Sequence, residues 1–383
     1  MLFHRLFRPT IFVLITGVLA SCGGASPPEV SAPAATRVAA TATAQPSATA
    51  TLRPSVTPVP TSTAAPTFTP VPPTATAPPS PSVPEGGARL FPRGVLTARP
   101  WTVMIDNHPD AYPQSGLDRA AVVIEGLAEF GITRFMATYA DGITPDAAEI
   151  GPVRSTRLYF AQLAMSFHPI YGHAGGSPDG EELVRTTREL VNFDADVQAG
   201  YSYRDHQRQA PHNLYTSSEL LRAFAQDTGT VAFDDQNVGY LYGETAPGGA
   251  AAISIDYSLG APSSAASWLW SPADGVYYRS QGGTAHVDRI TSVQVSAANV
   301  VAMQVDGGQR PGDDKGRIDQ NVVGSGVARV FRDGRIVEAT WAKDSAPAPL
   351  RFYDAAGAEI RFAPGAIWIV MIPSLDRLSL DEG

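Results

Sequence analysis

Two arginines near the middle of the chain have the residue type and spacing of an anion-binding site. Arg154 and Arg157 follow a Gly-Pro step at which we predict a helix to begin, and residues three apart share one face of a helix. Guanidinium groups beside the free N–H groups of a helix start suit a phosphate or a carboxylate. The alternative is a structural network in which the two arginines pair with Glu125, Glu129 or Glu149.

Three more segments concentrate polar side chains near the ends of β-prone runs. They are Asp106-Asn107-His108, residues 173–177, and Pro211-His212-Asn213. Ligands of open α/β sheets bind beyond the carboxyl ends of the strands, so these segments can meet in one site. We therefore predict that the two arginines bind a ligand together with Asn107, His173, Ser177, His212 and Asn213.

A catalytic interpretation of these segments needs a metal or a general base. The candidate metal ligands are Asp106, His108, His173 and His212, and the candidate catalytic residues are Asp106, His108, His173 and Glu149. Asp-x-His resembles the opening motif of metallophosphoesterases, but the Gly-Asn-His-Glu and Gly-His-x-His segments of that pattern are missing. The alternative is that these histidines make ordinary hydrogen bonds near strand ends. The sequence leaves open which cofactor, if any, the protein binds and whether it is an enzyme.

Two further polar residues have competing interpretations. Ser177 follows two glycines, but the Gly-x-Ser-x-Gly pattern of a nucleophile elbow is absent, which favours a helix N-cap or a loop. Asp288 is either a site residue or a turn residue, and we favour the turn.

Strand-like and helix-like segments alternate over residues 87–245. The strand candidates are 101–105, 121–124, 132–139 and 170–174, and the helix candidates are 151–164, 181–191 and 220–225. This alternation predicts an α/β or α+β domain with a sheet covered by helices. Residues 246–383 contain short strand candidates at close spacing, with a hairpin signal at Asp333-Gly334, and predict a smaller, mostly-β module of the sandwich or barrel-like type. The Gly/Ala-rich loop 246–252 is the predicted boundary.

The first 86 residues predict an export signal and a spacer. Residues 1–22 combine Arg5 and Arg8 with a short apolar run that ends in Leu-Ala-Ser-Cys, which resembles the lipobox of bacterial lipoproteins. Cleavage before Cys22 would leave a lipid-modified N-terminus held in a membrane by acyl chains. Residues 23–86 are rich in Pro, Thr, Ser and Ala and predict a disordered stalk, because they lack the apolar side chains of a core. The alternative for the leader is an ordinary signal peptide with an incidental cysteine.

Charge limits the classes of partner. The chain carries −9, of which Arg5 and Arg8 contribute +2 and residues 23–86 contribute zero, so residues 87–383 carry −11. This acidic balance argues against nonspecific nucleic-acid binding. A single cysteine excludes a disulfide framework.

An ordered set of short motifs resembles one family. The motifs are MIDNHP at 104–109, PQSGL at 113–117, GITRF at 131–135, GPVRS at 151–155, HAGGS at 173–177, APHNLYT at 210–216, NVV at 299–301 and TW at 340–341. Together they resemble the YerB-like family of bacterial envelope lipoproteins over nearly all of residues 95–372. That resemblance implies two adjoining domains of unknown function outside the cytoplasmic membrane, and it implies no catalytic residue.

Three functional hypotheses follow from these observations. The leading one is a lipid-anchored extracytoplasmic protein whose first domain binds an anionic or polar envelope ligand, such as a cell-wall fragment. The second is an envelope hydrolase that uses a metal or a carboxylate base. The third is a structural component of an envelope complex that contacts another envelope protein.

Overall fold

The structure is a computed structural model that describes residues 89–243, 254–259 and 265–381. The predicted signal peptide with Cys22, the predicted stalk and the predicted boundary loop 246–252 lie outside the described residues. Within that part of the chain, no helix is long and apolar enough to cross a membrane.

The described residues form twenty strands, three α-helices and three short 3-10 turns. The strands are β1 (Trp101–Asp106), β2 (Val122–Glu129), β3 (Ile132–Tyr139), β4 (Ile170–His173), β5 (Val191–Asp194), β6 (Tyr203–Arg204), β7 (Leu214–Tyr215), β8 (Ser254–Tyr257), β9 (Ala266–Ser271), β10 (Val276–Gln281), β11 (Thr284–Ala285), β12 (Ser296–Ala297), β13 (Asn299–Gln304), β14 (Gly307–Gln309), β15 (Ile318–Gln320), β16 (Gly324–Arg332), β17 (Arg335–Lys343), β18 (Arg351–Asp354), β19 (Ile367–Ile372) and β20 (Ser379–Asp381). The helices are α1 (Leu158–Ala164), α2 (Pro178–Thr186) and α3 (Ser218–Asp227), and the 3-10 turns are Pro109–Ala111, Met165–Phe167 and Leu375–Arg377.

One large mixed sheet organises the molecule. Its ten strands run in the order β18-β17-β16-β13-β19-β2-β3-β1-β4-β5, with five strands from each half of the sequence. The junction between the halves is β19, which pairs in parallel with β2 from Ile367 opposite Val122. The described fold is therefore mixed α/β, which confirms the α/β character predicted for the first half, but it has few helices and its large sheet includes strands of both halves.

The strands of the second half are divided among three sheets, of which the smallest is the β14-β15 pair. β13 and β16–β19 extend the large sheet, whereas β8–β12 and β20 form a separate six-stranded sheet. The sequence analysis placed all of them in one sandwich or barrel-like module, because local patterns identify strands but not their partners. The Asp333-Gly334 hairpin is confirmed, since β16 and β17 pair through Arg332 and Arg335 and both turn residues have positive φ.

The large sheet is buried on both faces. Alternate residues of β19 contact opposite clusters, with Trp368 and Val370 in one and Ile369 and Met371 in the other. α1 and α2 cover the second face and α3 covers the first, together with side chains of the six-stranded sheet such as Trp268. Each large apolar side chain that is fully buried stabilises the folded state by about 1.5–3 kcal/mol. Burial on both faces therefore fixes the strand order, and the strand order positions the polar residues at the strand ends.

Candidate functional site

A cleft of about 550 Å³ opens beside the carboxyl end of β1. Its lining includes five cationic side chains and two carboxylates, namely Arg134, Arg154, Arg157, Lys315 and Arg317 against Asp106 and Glu129. Five minus two gives the cleft a charge of +3, although residues 87–383 as a whole carry −11. A positive concavity on an acidic protein attracts anions.

Arg154 lies on extended backbone rather than on a helix. Its N–H donates to the Met104 carbonyl at 2.9 Å, and the Val153 N–H donates to the Leu214 carbonyl at 2.6 Å. The prediction that a helix begins at 151–153 is therefore wrong, since α1 begins at Leu158 and Arg157 is its N-cap residue. These bridges to neighbouring strands hold the segment extended, which the Gly-Pro step alone does not reveal.

Asp106 is the anchor at the base of the cleft. Arg154 Nε donates to its Oδ2 atom at 3.1 Å, and His212 Nδ1 donates to the same atom at 2.7 Å. The backbone N–H of His108 donates to the Oδ1 atom of Asp106 at 3.0 Å. Asp106 is only 3% exposed, so these contacts compensate its loss of hydration.

Glu129 organises a second pair of arginines. Arg134 Nη2 donates to its Oε2 atom at 2.9 Å, and Arg157 forms an ion pair with its Oε1 atom. Part of the structural-network alternative is thus present, because Glu129 pairs with Arg157 as well as with Arg134. Arg154 pairs instead with Asp106.

The two remaining cations come from the second half of the chain. Lys315 and Arg317 lie in the connection between β14 and β15, and Glu129 and Arg317 form an antiparallel bridge. Arg317 is held by Asp313 at 2.8 Å, whereas the Lys315 ammonium has no hydrogen-bond or ion-pair partner among the described residues. The cleft is therefore formed jointly by both halves.

Burial gives the arginines of the cleft unusual electrostatics. Loss of hydration lowers the pKa of Arg134, Arg154 and Arg157 from the ordinary guanidinium value. Guanidinium groups start from a pKa above about 12, so all three remain charged at neutral pH. Partly dehydrated cations interact strongly with an incoming anion because water screens them less.

Five of the predicted ligand-binding and metal-binding residues line the cleft, and Arg157 is one of them. The other four are Arg154, His212, Asp106 and His108. The rings of His108 and His212 are stacked, with centroids 4.6 Å apart and planes 18° apart.

Three other predicted residues are buried in hydrogen-bond networks and do not line the cleft. His173 Nδ1 lies 3.0 Å from the Gly175 carbonyl and its Nε2 lies 2.9 Å from Asn192 Oδ1, so both ring nitrogens are engaged. Asn107 donates to Thr133 Oγ1 at 2.6 Å. Asn213 donates to backbone carbonyls and accepts from Arg204 at 2.8 Å.

Ser177, Glu149 and Asp288 also lie outside the cleft. Ser177 occupies the N-cap position of α2, one of the two places that the sequence favoured, but its hydroxyl makes no capping hydrogen bond. Glu149 accepts from Ser115 Oγ at 2.6 Å and from Tyr203 Oη at 2.8 Å. Asp288 Oδ1 accepts from the backbone N–H groups of Ile290 and Thr291 at 2.9 and 3.1 Å. This pattern agrees with the turn interpretation.

Sequence analysis missed four residues of the cleft. Arg134 is part of the GITRF motif and pairs across β1 and β3 with Asp106, but its role was not assigned. Lys315 and Arg317 gave no signal of their own. The Phe130-Gly131 step lies between two strand candidates, and such a step can predict an exposed hairpin turn at Phe130.

The fold and the cleft define a two-part α/β protein with a positively charged cleft shared by both halves, and two family models match it. They are described as the N-terminal and C-terminal domains of a protein of unknown function, DUF3048, and match residues 87–231 and 253–369. The chain is 30% identical over 292 residues to "Putative lipoprotein YerB" of Bacillus subtilis (strain 168), which covers 76% of this chain and 86% of that protein. The crystal structure of YerB protein from Bacillus subtilis matches with a TM-score of 0.66 and 27% identity over 78% of this chain and 100% of that one. The chain therefore belongs to the YerB-like DUF3048 family, which confirms the resemblance.

Proposed function

We propose that this protein is a lipid-anchored extracytoplasmic receptor whose cleft binds an anionic ligand of the cell envelope. The relative named a putative lipoprotein and the Leu-Ala-Ser-Cys sequence ending at Cys22 both support the anchor. The stalk 23–86 would hold the cleft away from the membrane surface. The family descriptions assign no function, so the ligand is inferred from the cleft alone.

The observation that carries the binding proposal is the set of free donors in the cleft. Arg154 uses Nε to reach Asp106, and neither of its terminal nitrogens has a hydrogen-bond partner among the described residues. Arg154 is 26% exposed, so these nitrogens can form a two-pronged contact with a phosphate or carboxylate. The Lys315 ammonium adds a mobile charge from the other half of the chain.

The binding function is better supported than hydrolysis by a carboxylate base. Asp106 lines the cleft, but its Oδ2 atom already accepts from Arg154 and His212 and its Oδ1 atom accepts from the backbone N–H of His108. Glu149 is bound to Ser115, Tyr203 and Arg289 outside the cleft. Neither carboxylate is arranged as a base that accepts a proton from a ligand in the cleft.

Calorimetric titration of the full chain with inorganic phosphate and with glycerol phosphate tests the proposal. Each charge-assisted hydrogen bond contributes about 1.5–3 kcal/mol, so Arg154→Gln should weaken binding by about 10-fold or more. The matched control is Arg188→Gln, which removes an exposed arginine outside the cleft. Equal affinity of the wild type, the Arg154 variant and the control for both anions would show that the cleft does not bind them.

A further inference from the structure

Two histidines and a carboxylate meet at the edge of the cleft. His108, Asp110 and His212 each offer a ligand atom, and these three atoms lie within 4.8 Å of one another. His108 and His212 line the cleft, and Asp110 belongs to the 3-10 turn that follows His108. The three ligand atoms are distinct from the arginine donors on which anion binding depends, although His212 and Arg154 both contact Asp106.

We propose that His108, Asp110 and His212 bind a divalent transition-metal ion, with Zn²⁺ as the best match. Two imidazoles and one carboxylate, with a position left open for water or an exogenous ligand, form a known type of open zinc site. The proposed set differs from the candidate set obtained from the sequence, because Asp110 replaces His173 and Asp106 has another task.

The separation of two donor atoms agrees with shared coordination. Asp110 Oδ2 lies 3.6 Å from His108 Nδ1, which is too far for a hydrogen bond. Two ligand atoms bonded at about 2.0–2.2 Å to one tetrahedral metal lie about 3.4 Å apart. The Asp110 side chain is 72% exposed, so it can rotate to close the remaining distance without disturbing packed neighbours.

Asp106 positions one of the two imidazoles. The His212 Nδ1 atom donates to Asp106 Oδ2 at 2.7 Å, so the proton is held on Nδ1 and the lone pair on Nε2. Metal-binding histidines are commonly oriented by a carboxylate on the opposite nitrogen, which also makes the imidazole a stronger donor. Arg154 and the backbone N–H of His108 hold the Asp106 carboxylate in place. The His212 imidazole is therefore oriented before a metal ion binds.

Two contacts oppose metal binding and limit its affinity. His108 Nδ1 accepts a long hydrogen bond from the Asp110 N–H at 3.2 Å, and a metal on that nitrogen would replace this bond. Arg154 contacts the same Asp106 oxygen as His212, so its positive charge repels a cation bound at the histidines. The open coordination position adjoins the cleft, so an anion held there can offset part of this repulsion.

The test is a titration of the untagged full chain with Co²⁺ and Zn²⁺ in phosphate-free buffer. We expect one equivalent to bind, with a Co²⁺ ligand-field absorption band that reports nitrogen and oxygen ligands. His108→Ala and Asp110→Asn should each weaken binding at least 10-fold, and Asp106→Asn should weaken it 10- to 100-fold while leaving the band shape at saturation unchanged. His206→Ala, which changes an exposed histidine outside the group, is the matched control.

Several results would overturn the metal site. They are the absence of a Co²⁺ band in the wild type, unchanged binding in the His108 and Asp110 variants, or an equal loss in the His206 control. Asp110 is exposed, so its variant remains informative if a histidine variant unfolds in a thermal melt. Anion titrations in the presence of chelator keep the two proposals distinct, since loss of metal binding would leave the arginine donors in place.

Discussion

Arg279 and Glu125 form an ion pair in which both side chains are completely buried, with Nη2 3.1 Å from Oε2. Trp368 donates its indole N–H to the same oxygen at 3.1 Å, and the guanidinium lies 4.9 Å from the centroid of the Trp368 ring. The pair links β2 of the large sheet to β10 of the six-stranded sheet. It therefore connects the two halves that also share the cleft.

Breaking this pair should strongly destabilise the fold. Glu125→Gln keeps the shape of the side chain but leaves the Arg279 charge without its counter-charge, and loss of one buried partner typically reduces the free energy of unfolding by about 3–5 kcal/mol. Urea unfolding of the full chain measures the change. Glu338→Gln is the control, because Glu338 is 65% exposed in its pair with Arg329 and should contribute only about 0–1 kcal/mol. Equal effects of the two substitutions would contradict the importance of the buried pair.

Asp288 should make stability depend on pH. Burial and the neighbouring charge of Asp118 raise the pKa of Asp288 to about 6, whereas an unfolded aspartate has a pKa of about 3.9. The folded protein thus keeps a proton that the unfolded chain releases, so this contribution to stability is complete below about pH 4 and is lost as the pH rises through about 6. The shift corresponds to about 3 kcal/mol.

The contribution of Asp288 is measured as a difference between two proteins. The free energy of unfolding in urea is measured at several pH values for the wild type and for Asp288→Asn. The difference between the two proteins cancels the contribution of the other carboxylates, because these titrate in both. The wild type should lose stability relative to the variant between pH 4 and pH 6. A constant difference over that range would show that the pKa of Asp288 is not raised.

The sequence predicted the ends of the central strands better than the sheet they build. Apolar runs ending in polar residues located β1 and β4, since that information is local. β19 pairs with β2 although Ile367 and Val122 are far apart in sequence. A continuous apolar run is typical of a strand buried on both faces, but it does not identify the neighbouring strand. Strand pairing over such distances depends on the whole fold.

The candidate site was predicted in part for the same reason. Asp106 ends β1, and the extended segment that carries Arg154 and the loop that carries His212 meet it there, so the predicted convergence of these polar segments is found although only Asp106 lies at a strand end. His173 follows a strand as well, but its ring points into hydrogen bonds with Gly175 and Asn192. Lys315 enters from a hairpin of the second half, and an isolated lysine in a loop is ordinarily a solvated residue.

Lys315 should contribute to anion binding mainly through long-range attraction. Because it is exposed, Lys315→Gln should weaken phosphate binding several-fold at low ionic strength and much less at 0.5 M salt, where charges are screened within a few ångströms. Arg154→Gln should weaken binding at both salt concentrations, since its contact is partly buried. Titration at two ionic strengths with Arg188→Gln as control checks this, and an effect of Lys315→Gln that does not depend on salt would argue against a purely electrostatic role.

Phe130 combines an unfavourable backbone with an exposed aromatic ring at the edge of the cleft. It has φ +50° in the two-residue turn between β2 and β3, followed by Gly131 at φ +76°, and it is 72% exposed. Its ring lies so close to Gly316 that a Cβ on that glycine would be 2.5 Å from Phe130 Cε1. The ring therefore rests on the loop that carries Lys315 and leaves a broad apolar surface open beside the cations.

Replacing Phe130 should separate stability from ligand recognition. Asn is favoured at the first position of a turn with two positive φ values, so Phe130→Asn should raise the free energy of unfolding by about 0.5–1 kcal/mol, measured in urea. Affinity for inorganic phosphate should not change, because the ring carries no charge. A phosphate ester with a sugar or alkyl part should bind several-fold more weakly to the variant, since it loses an apolar surface. If the ester binds both proteins equally while stability rises, the ring takes no part in recognition.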